Sequence, residues 1–373
     1  MWRRWFLPLC LTLFLSLAAL EVQADLKIGV AGAHSGDLAP YGIPARDALA
    51  LAAEKLNAAG GLLGQKVQLV VLDDVCKPGV AADVANKMVA ERVVAVIGHI
   101  CSGATKAALP IYQAAKIPVI SPSATSPELT LEGRYPLFFR SIPHDAKQAM
   151  VQADFIVQKL KAKTAVIVHD KGDYGKALAL LVEQELKKRG VKILMVEGVT
   201  PGAVNYSALV RKIGREAPDV VAFGGYHPEA TKIVTQARKR RIKSAFISGD
   251  GVKDPSFIKI GRHYVEGYYA TSPADISGLP QTQQVNQELA DRGQSSGNFG
   301  LQAHAAFTAL VQAIKRAGST DPEAIKKQLH AQTVDTVLGK IHFDPQGDIV
   351  GAGISLYQVK DAQFVDLNFQ PEP

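Results

Sequence analysis

From Leu26 onward the chain runs twice through one pattern, in which short, continuously apolar runs alternate with longer segments of helical spacing. Apolar continuity, as opposed to alternation, marks strands covered on both faces, the signature of a parallel sheet between helices. In the first series the strands read as Leu26 to Val30, Val67 to Leu72, Val93 to Ile97 and Pro118 to Ser121. Helices fall at Asp47 to Leu56, ended by Gly60-Gly61, and at Val80 to Glu91. The second series begins after Phe138 to Ile142, with helices at Lys147 to Leu160, Tyr174 to Arg189, Ser207 to Glu216 and Pro228 to Arg240. Its strands read as Thr164 to His169, Lys192 to Gly198, Val220 to Phe223, Ala245 to Ser248 and Gly267 to Ala270. Two such series predict two doubly wound α/β lobes, each with its loops at the carboxyl ends of the strands.

The remaining residues are too few for a third lobe. They give an amphipathic helix through Ala303, Phe307, Leu310 and Ile314, and a helix started by Asp321-Pro322. Short β segments follow at Val337 to Phe343 and Ile354 to Val359, around a turn at Pro345 to Asp348, and the tail Gln370 to Pro373 reads as frayed. If the late helices return to the first lobe and the last strand to the second, the chain crosses three times, which makes a hinge around a cleft.

The first residues speak to compartment. Arg3 and Arg4, the apolar run Phe6 to Leu20 and the small-residue end Val22-Gln23-Ala24 read as a signal peptide cleaved after Ala24, directing the chain to the periplasm. That apolar run is about 15 residues, short of the roughly 20 of a membrane span. Cleavage leaves 373 − 24 = 349 residues, too many for one ordinary core. The lobes are placed at 25–143 plus 274–353 and at 144–273 plus 354–373. Loss of Arg3, Arg4 and Glu21 takes the net charge from +7 to +6. The cluster Arg238, Lys239, Arg240, Arg241 and Lys243 lies where a helix ends, where cations meet the helix dipole, so no nucleic-acid partner is expected. Cys10 leaves with the signal peptide; the remaining Cys76 and Cys101, in an oxidising compartment, are read as a disulfide ahead of a metal pair or free thiols.

Ligands of open α/β sheets bind beyond the carboxyl ends of strands. Those positions hold Tyr41, then Cys101 and Ser102, then Ser123 and Thr125, and from the second series Tyr174, Tyr226 and Asp250. The small-residue turn Gly98 to Thr105 opens a helix, whose free N–H groups together with the Ser102 hydroxyl suit a carboxylate. A carboxylate there, an ammonium on Asp250 and an apolar body against the rings describe a zwitterion. Each residue also has a structural reading: Ser102, Thr125 and Ser126 as helix caps, the tyrosines as core or rim, Asp250 as a turn former between Gly249 and Gly251.

Catalytic readings lack their motifs. Gly29, Gly32 and Gly36 miss the dinucleotide spacing, and there is no phosphate loop, nucleophile elbow or His-Glu-x-x-His pattern. His99 beside Cys101 reads as a satisfied strand-end histidine, and His169-Asp170 has no nucleophile motif with it. No enzyme activity, cofactor or metal is expected.

Four stretches carry a family likeness: Gly98-His99-Ile100-Cys101-Ser102; Ser121 through Thr130; Val168-His169-Asp170-Lys171 with Tyr174-Gly175; and Gly224 through Glu229. In order and spacing they resemble the periplasmic leucine/isoleucine/valine-binding proteins of ABC transporters, from about Leu26 to Val359. The resemblance implies a type I periplasmic binding fold, in which two lobes joined by a three-strand hinge close on an aliphatic, branched-chain L-amino acid. It also implies a monomer that hands its ligand to an inner-membrane ABC permease. Residue by residue, it implies that Ser102 and Thr125 hold the ligand carboxylate. The Ser123 carbonyl, the Thr125 hydroxyl and Asp250 would receive the ammonium, Tyr41, Tyr174, Tyr226 and Phe299 would surround the side chain, and Cys76 would pair with Cys101. Two positions depart from the family's branched-chain binders, which carry alanine at Ser123 and glutamate at Asp250. Asp250 is shorter by one methylene, so its oxygen falls about 1.5 Å short unless the backbone moves or a water bridges. The alternative is a sensor of the same fold for an amide, a urea-like compound or an aromatic acid.

Overall fold

The computed structural model describes residues 25–371 except Glu132. The expected signal peptide, with Cys10, lies outside the described residues, as do the last two residues of the tail. The first series folds as β1 (Leu26–Gly32), α1 (Ala39–Ala58), β2 (Val67–Asp73), α2 (Pro78–Ala90), β3 (Ala95–Ile97), α3 (Ser102–Ala114), β4 (Val119–Ser121) and β5 (Phe138–Arg140). These strands form a wholly parallel sheet in the order β2-β1-β3-β4-β5. The winding direction reverses between β1 and β3, which opens a crevice at their carboxyl ends.

The second series comprises α4 (Asp145–Gln158), β6 (Thr164–His169), α5 (Asp173–Lys188), β7 (Lys192–Gly198), α6 (Ser207–Glu216), β8 (Val220–Gly224), α7 (His227–Lys239), β9 (Ala245–Ser248), α8 (Pro255–Gly261) and β10 (Tyr269–Pro273). The chain then adds α9 (Pro280–Ala290), α10 (Gly300–Ala317), α11 (Pro322–Ala331), β11 (Val334–Thr336), β12 (Gly339–Phe343), β13 (Ile349–Val350), β14 (Ile354–Lys360) and β15 (Gln363–Asp366). The second sheet runs β15-β14-β10-β9-β8-β6-β7, with β10, β9, β8, β6 and β7 parallel and the two last-formed strands antiparallel at its edge. Its winding reverses between β6 and β8.

The late helices pack on the first sheet. Ala303, Ala306, Phe307, Leu310 and Ile314 of α10 share a core with Leu49 and Ala52 of α1. The last long strand lies on the second sheet, where β14 pairs with β10. The chain therefore passes between the two sheets at 141–144, 274–279 and 351–353, three crossings side by side. The second and third are tied where Ala274 N–H donates to Gly353 O at 3.0 Å. Each sheet has an apolar layer on either face.

The structure corrects several expectations. Strands β2 and β7 are half-exposed, because each is the edge of its sheet and keeps one flank free. The helices α8 and α9 fall in stretches to which the sequence assigned no element, where Pro255 and Pro280 open turns whose polar faces mask the helical period. The segment read as Val337 to Phe343 holds β12, which pairs with β11 just before it, and β11, β13 and β15 are strands the sequence did not show.

Candidate functional site

The loop after β3 is shaped at Gly98, whose φ of 139° and a Cβ that would sit 2.2 Å from Ala31 O both exclude a side chain. The chain can then turn directly into α3, and the Cys76–Cys101 disulfide fastens that helix start to the loop after β2. Ser102 is not the cap of α3. It is the first helical residue, and its hydroxyl accepts from Ser126 N–H at 3.2 Å, joining the loops after β3 and β4. His99 is fully buried, with Nδ1 2.6 Å from Asp74 Oδ2 and Nε2 3.0 Å from the Tyr112 hydroxyl, a structural role.

The loop after β4 is held from beneath by Arg140 at the end of β5. Its buried guanidinium donates to Ala124 O and Ser126 O, both at 2.9 Å, and to Thr130 and Asp348. The two carbonyls flank Thr125, so a cation outside the cleft fixes where that residue points. Thr125 is fully buried and its hydroxyl has no hydrogen-bond partner. The side chain of Ser126 makes no cap for the short 3-10 turn Pro127–Leu129. Ser123 donates its hydroxyl to Ile100 O at 2.7 Å, so its extra oxygen is taken up within the protein.

From the second lobe, α5 brings Tyr174 up at its first turn. Close approach of α5 to β8 requires glycine twice: a Cβ on Gly175 would lie 2.5 Å from Gly224 O, and one on Gly224 1.9 Å from Gly175 O. The Tyr174 hydroxyl donates to Asp250 Oδ1 at 2.7 Å and accepts from Gly251 N–H at 3.0 Å. The other carboxylate oxygen of Asp250 is buried without a partner. Burial raises the Asp250 carboxyl to about 6 against its hydrogen bond from Tyr174. Burial likewise raises the hydroxyls of Tyr41, Tyr174 and Tyr226, keeping all three neutral donors.

Tyr41, Ser123, Tyr174, Tyr226, Asp250 and Phe299 line one cavity, together with Ile100 and Gly251, which sequence reasoning did not single out. Ser102 and Thr125 are buried outside that lining, in the adjoining loops. The rings form a continuous wall: Tyr41 stands 6.0 Å from Tyr226 and 5.8 Å from Phe299, and Tyr226 stands 5.2 Å from Tyr174, between centroids. The enclosed space is about 10 Å³, the room of a single water, so a larger guest enters only when the lobes part.

The lobes meet across this cavity. Tyr41 of α1 donates its hydroxyl to Gly251 O at 2.7 Å, and His227 Nδ1 lies 2.6 Å from the Tyr41 hydroxyl oxygen, which accepts the hydrogen that nitrogen carries. Asn298 donates to Asp250 O at 2.9 Å, and Lys106 of α3 reaches both Glu128 and, across the cleft, Asp173. A residue that sequence reasoning missed completes the site. Asp145, first in α4, is fully buried, accepts from Gln148 Nε2 at 2.9 Å, and keeps its second oxygen unpartnered. An acid in the first turn of a helix is ordinary, so nothing in the sequence set it apart.

The basic cluster lies elsewhere. Arg238 turns inward to donate to Ile242 O and Ser244 O, while Arg240, Arg241 and Lys243 rim a groove of about 820 Å³ at the amino ends of β8 and β9, away from the cleft. His169 accepts from Lys171 N–H and makes no pair with Asp170. Among the described residues no group of three or more His, Cys, Asp or Glu could hold a metal, and no helix is long and apolar enough to cross a membrane.

Two doubly wound lobes, three crossings and a buried polar and aromatic cavity at the strand ends define a type I binding protein. The chain belongs to the periplasmic binding protein family, whose model matches residues 25–363. It is 38% identical over 338 residues to the Leu/Ile/Val-binding protein of Escherichia coli, covering 90% of this chain and 91% of that one. The leucine-, isoleucine-, valine-, threonine-, and alanine-binding protein of Pseudomonas aeruginosa is 35% identical over 343 residues, 91% of this chain and 92% of the relative. Among solved structures, the leucine binding protein LivK of Thermotoga maritima superposes with a TM-score of 0.85 at 26% identity, over 91% of this chain and 97% of the other. The branched-chain amino acid transporter substrate binding protein LivJ of Streptococcus pneumoniae, in complex with isoleucine, gives 0.81 at 26% identity, over 92% and 100%.

Proposed function

We propose that this protein captures an aliphatic, branched-chain L-amino acid in the periplasm and delivers it to an inner-membrane ABC permease, acting as a monomer without catalysing a reaction. The lobes that close on the ligand are 25–143 plus 274–353 and 144–273 plus 354–373. The observation that carries this reading is the pairing of unpartnered, buried polar atoms across the cleft. The Thr125 hydroxyl of one lobe and a carboxylate oxygen of Asp250 in the other both lack a protein partner. Buried polar groups are ordinarily satisfied, and an α-ammonium satisfies both. The ligand carboxylate goes to Ser102 and the start of α3, and the aliphatic body lies against Tyr41, Tyr174, Tyr226 and Phe299. The names of the relatives favour the same class of ligand. Because each lobe supplies part of the site, ligand favours the closed form, which the permease reads.

Calorimetric titration of the refolded, ligand-stripped protein against the common L-amino acids, with benzoate and acetamide alongside, tests this. Leucine, isoleucine or valine is expected to bind. Failure of all three while a non-amino-acid binds overturns the proposal in favour of a sensor for amides or aromatic acids.

A further inference from the structure

Two buried carboxylates are linked through one side chain beside the cavity. Asp250 follows β9 and Asp145 starts α4, and the same Gln148 amide touches both: its Nε2 donates to Asp145 Oδ1 at 2.9 Å, and its Oε1 accepts from Asp250 N–H at 3.1 Å. Oε1 also accepts from Thr271, which is itself held by Gln152, so the bridging amide is fixed in orientation. Asp145 is tied to the ligand loop, its N–H donating to Thr125 O at 2.9 Å. Each carboxylate keeps one oxygen with no partner in the protein.

The groups around the pair compensate its charge only in part, burial and the repulsion of Asp250 outweighing the Arg140 guanidinium and the Gln148 amide at Asp145. From β5, the Arg140 guanidinium faces Asp145 but is already bonded to Asp348, Thr130 and two carbonyls. The neighbouring His144 is held below its usual range, chiefly by burial. From α5, the Tyr174 hydroxyl donates to Asp250, and Tyr226 at the start of α7 and Tyr41 on α1 present neutral rings and hydroxyls. Two like charges this deeply buried and bridged by one neutral amide do not both persist without a dedicated cation; one is neutralised by a proton.

We propose that Asp145 and Asp250 act as a coupled pair that holds one proton in the ligand-free protein and releases it when a ligand ammonium takes its place, so that zwitterion capture is exchanged for a proton. Asp145 is then a positioning residue for the ammonium, acting through Asp250, Gln148 and Thr125. This deepens the amino-acid reading and rests on it. The exchange balances: the ammonium brings one positive charge into the site, and the proton leaves to the solvent. Burial raises both carboxyls, that of Asp145 further because Asp250 adds its repulsion, in the direction the exchange requires. The ligand's affinity should therefore rise with pH until the pair is fully ionised in the free protein, and level off above.

The test is calorimetry with L-leucine at pH 6 in buffers of different ionisation enthalpy. The wild type is expected to release close to one proton per leucine, with affinity falling up to about tenfold per pH unit on the acid side. In Asp145→Asn only the buried Asp250 carboxyl remains to give up a proton, so the release at pH 6 should fall to about half, while Asp145→Glu restores it. Leucine binding with no proton release in the wild type, or with the same release in Asp145→Asn, overturns the proposal while leaving the amino-acid reading intact. A ligand-free measurement decides the matter even if leucine does not bind. Carbon-13 spectra of aspartate-labelled protein should show a carboxyl titrating above pH 6 that moves to lower pH when Asp250 is replaced by asparagine, because its neighbour's repulsion is gone. Two carboxyls that both titrate below pH 5 refute the shared proton.

Discussion

Asp250 shows how one residue serves binding at the expense of stability. Its carboxyl lies near 6 in the folded protein because of burial, against about 3.9 in an unfolded chain. A raised carboxyl contributes stability below the unfolded value and loses it as pH rises to the folded one, a difference of roughly 3 kcal/mol by about pH 7. Asp250→Asn should accordingly raise the unfolding temperature of the ligand-free protein at pH 8 and leave it little changed at pH 4, measured by thermal denaturation. The same substitution should weaken leucine by at least about 1.5 kcal/mol, the scale of a charge-assisted hydrogen bond. Near-wild-type affinity would place the ammonium elsewhere. The departure at Ser123 carries less weight than the sequence suggested, since its hydroxyl is bonded to Ile100 O and is not free to choose a ligand.

At the scale of elements, the site depends on how closely α5 approaches β8. Gly175→Ala would drive a methyl into Gly224 O and push the first turn of α5, with Tyr174, away from Asp250. Overpacking of this kind costs about 1–3 kcal/mol, and unlike a loss of stability alone it should also weaken leucine binding, read by calorimetry well below the melting range. The start of α3 depends on its covalent tie. Replacing Cys76 and Cys101 together by serine opens a loop of sequence separation 25 and should lower stability by about 3 kcal/mol in denaturant titration. An unchanged midpoint would mean that the loop after β2 is ordered by its Asp74–His99 contact alone.

For the molecule as a whole, the question is what closes the cleft. Tyr41 reaches from one lobe to Gly251 O and His227 of the other. Tyr41→Phe keeps the aromatic wall but leaves a buried carbonyl unpaired, at about 1–3 kcal/mol. The expected outcome is a roughly tenfold or greater loss of leucine affinity, with small-angle scattering showing a larger radius of gyration at sub-saturating ligand. The exposed bridge from Lys106 to Asp173 should matter far less, being screened by salt.

The sequence by itself determined the two βα series and their order, because burial of strands on both faces is written as local apolar runs. It was silent on which strands are edges: β2 and β7 read like their neighbours, and only pairing leaves one flank of each exposed. The strand-end residues Tyr41, Ser123, Tyr174, Tyr226 and Asp250 were legible because the fold class dictates where ligands sit, Phe299 only through the family resemblance, and the six share one cavity. Asp145 was not, because its significance is a relation: an unremarkable helix-start acid becomes one of a buried pair only when a crossing of the chain sets it against a residue 105 positions later, Asp250. The three crossings, the Tyr41 bond across the cleft and the shared Gln148 amide are likewise contacts between distant segments. Local periodicity records what a residue buries, and only the tertiary structure decides against whom.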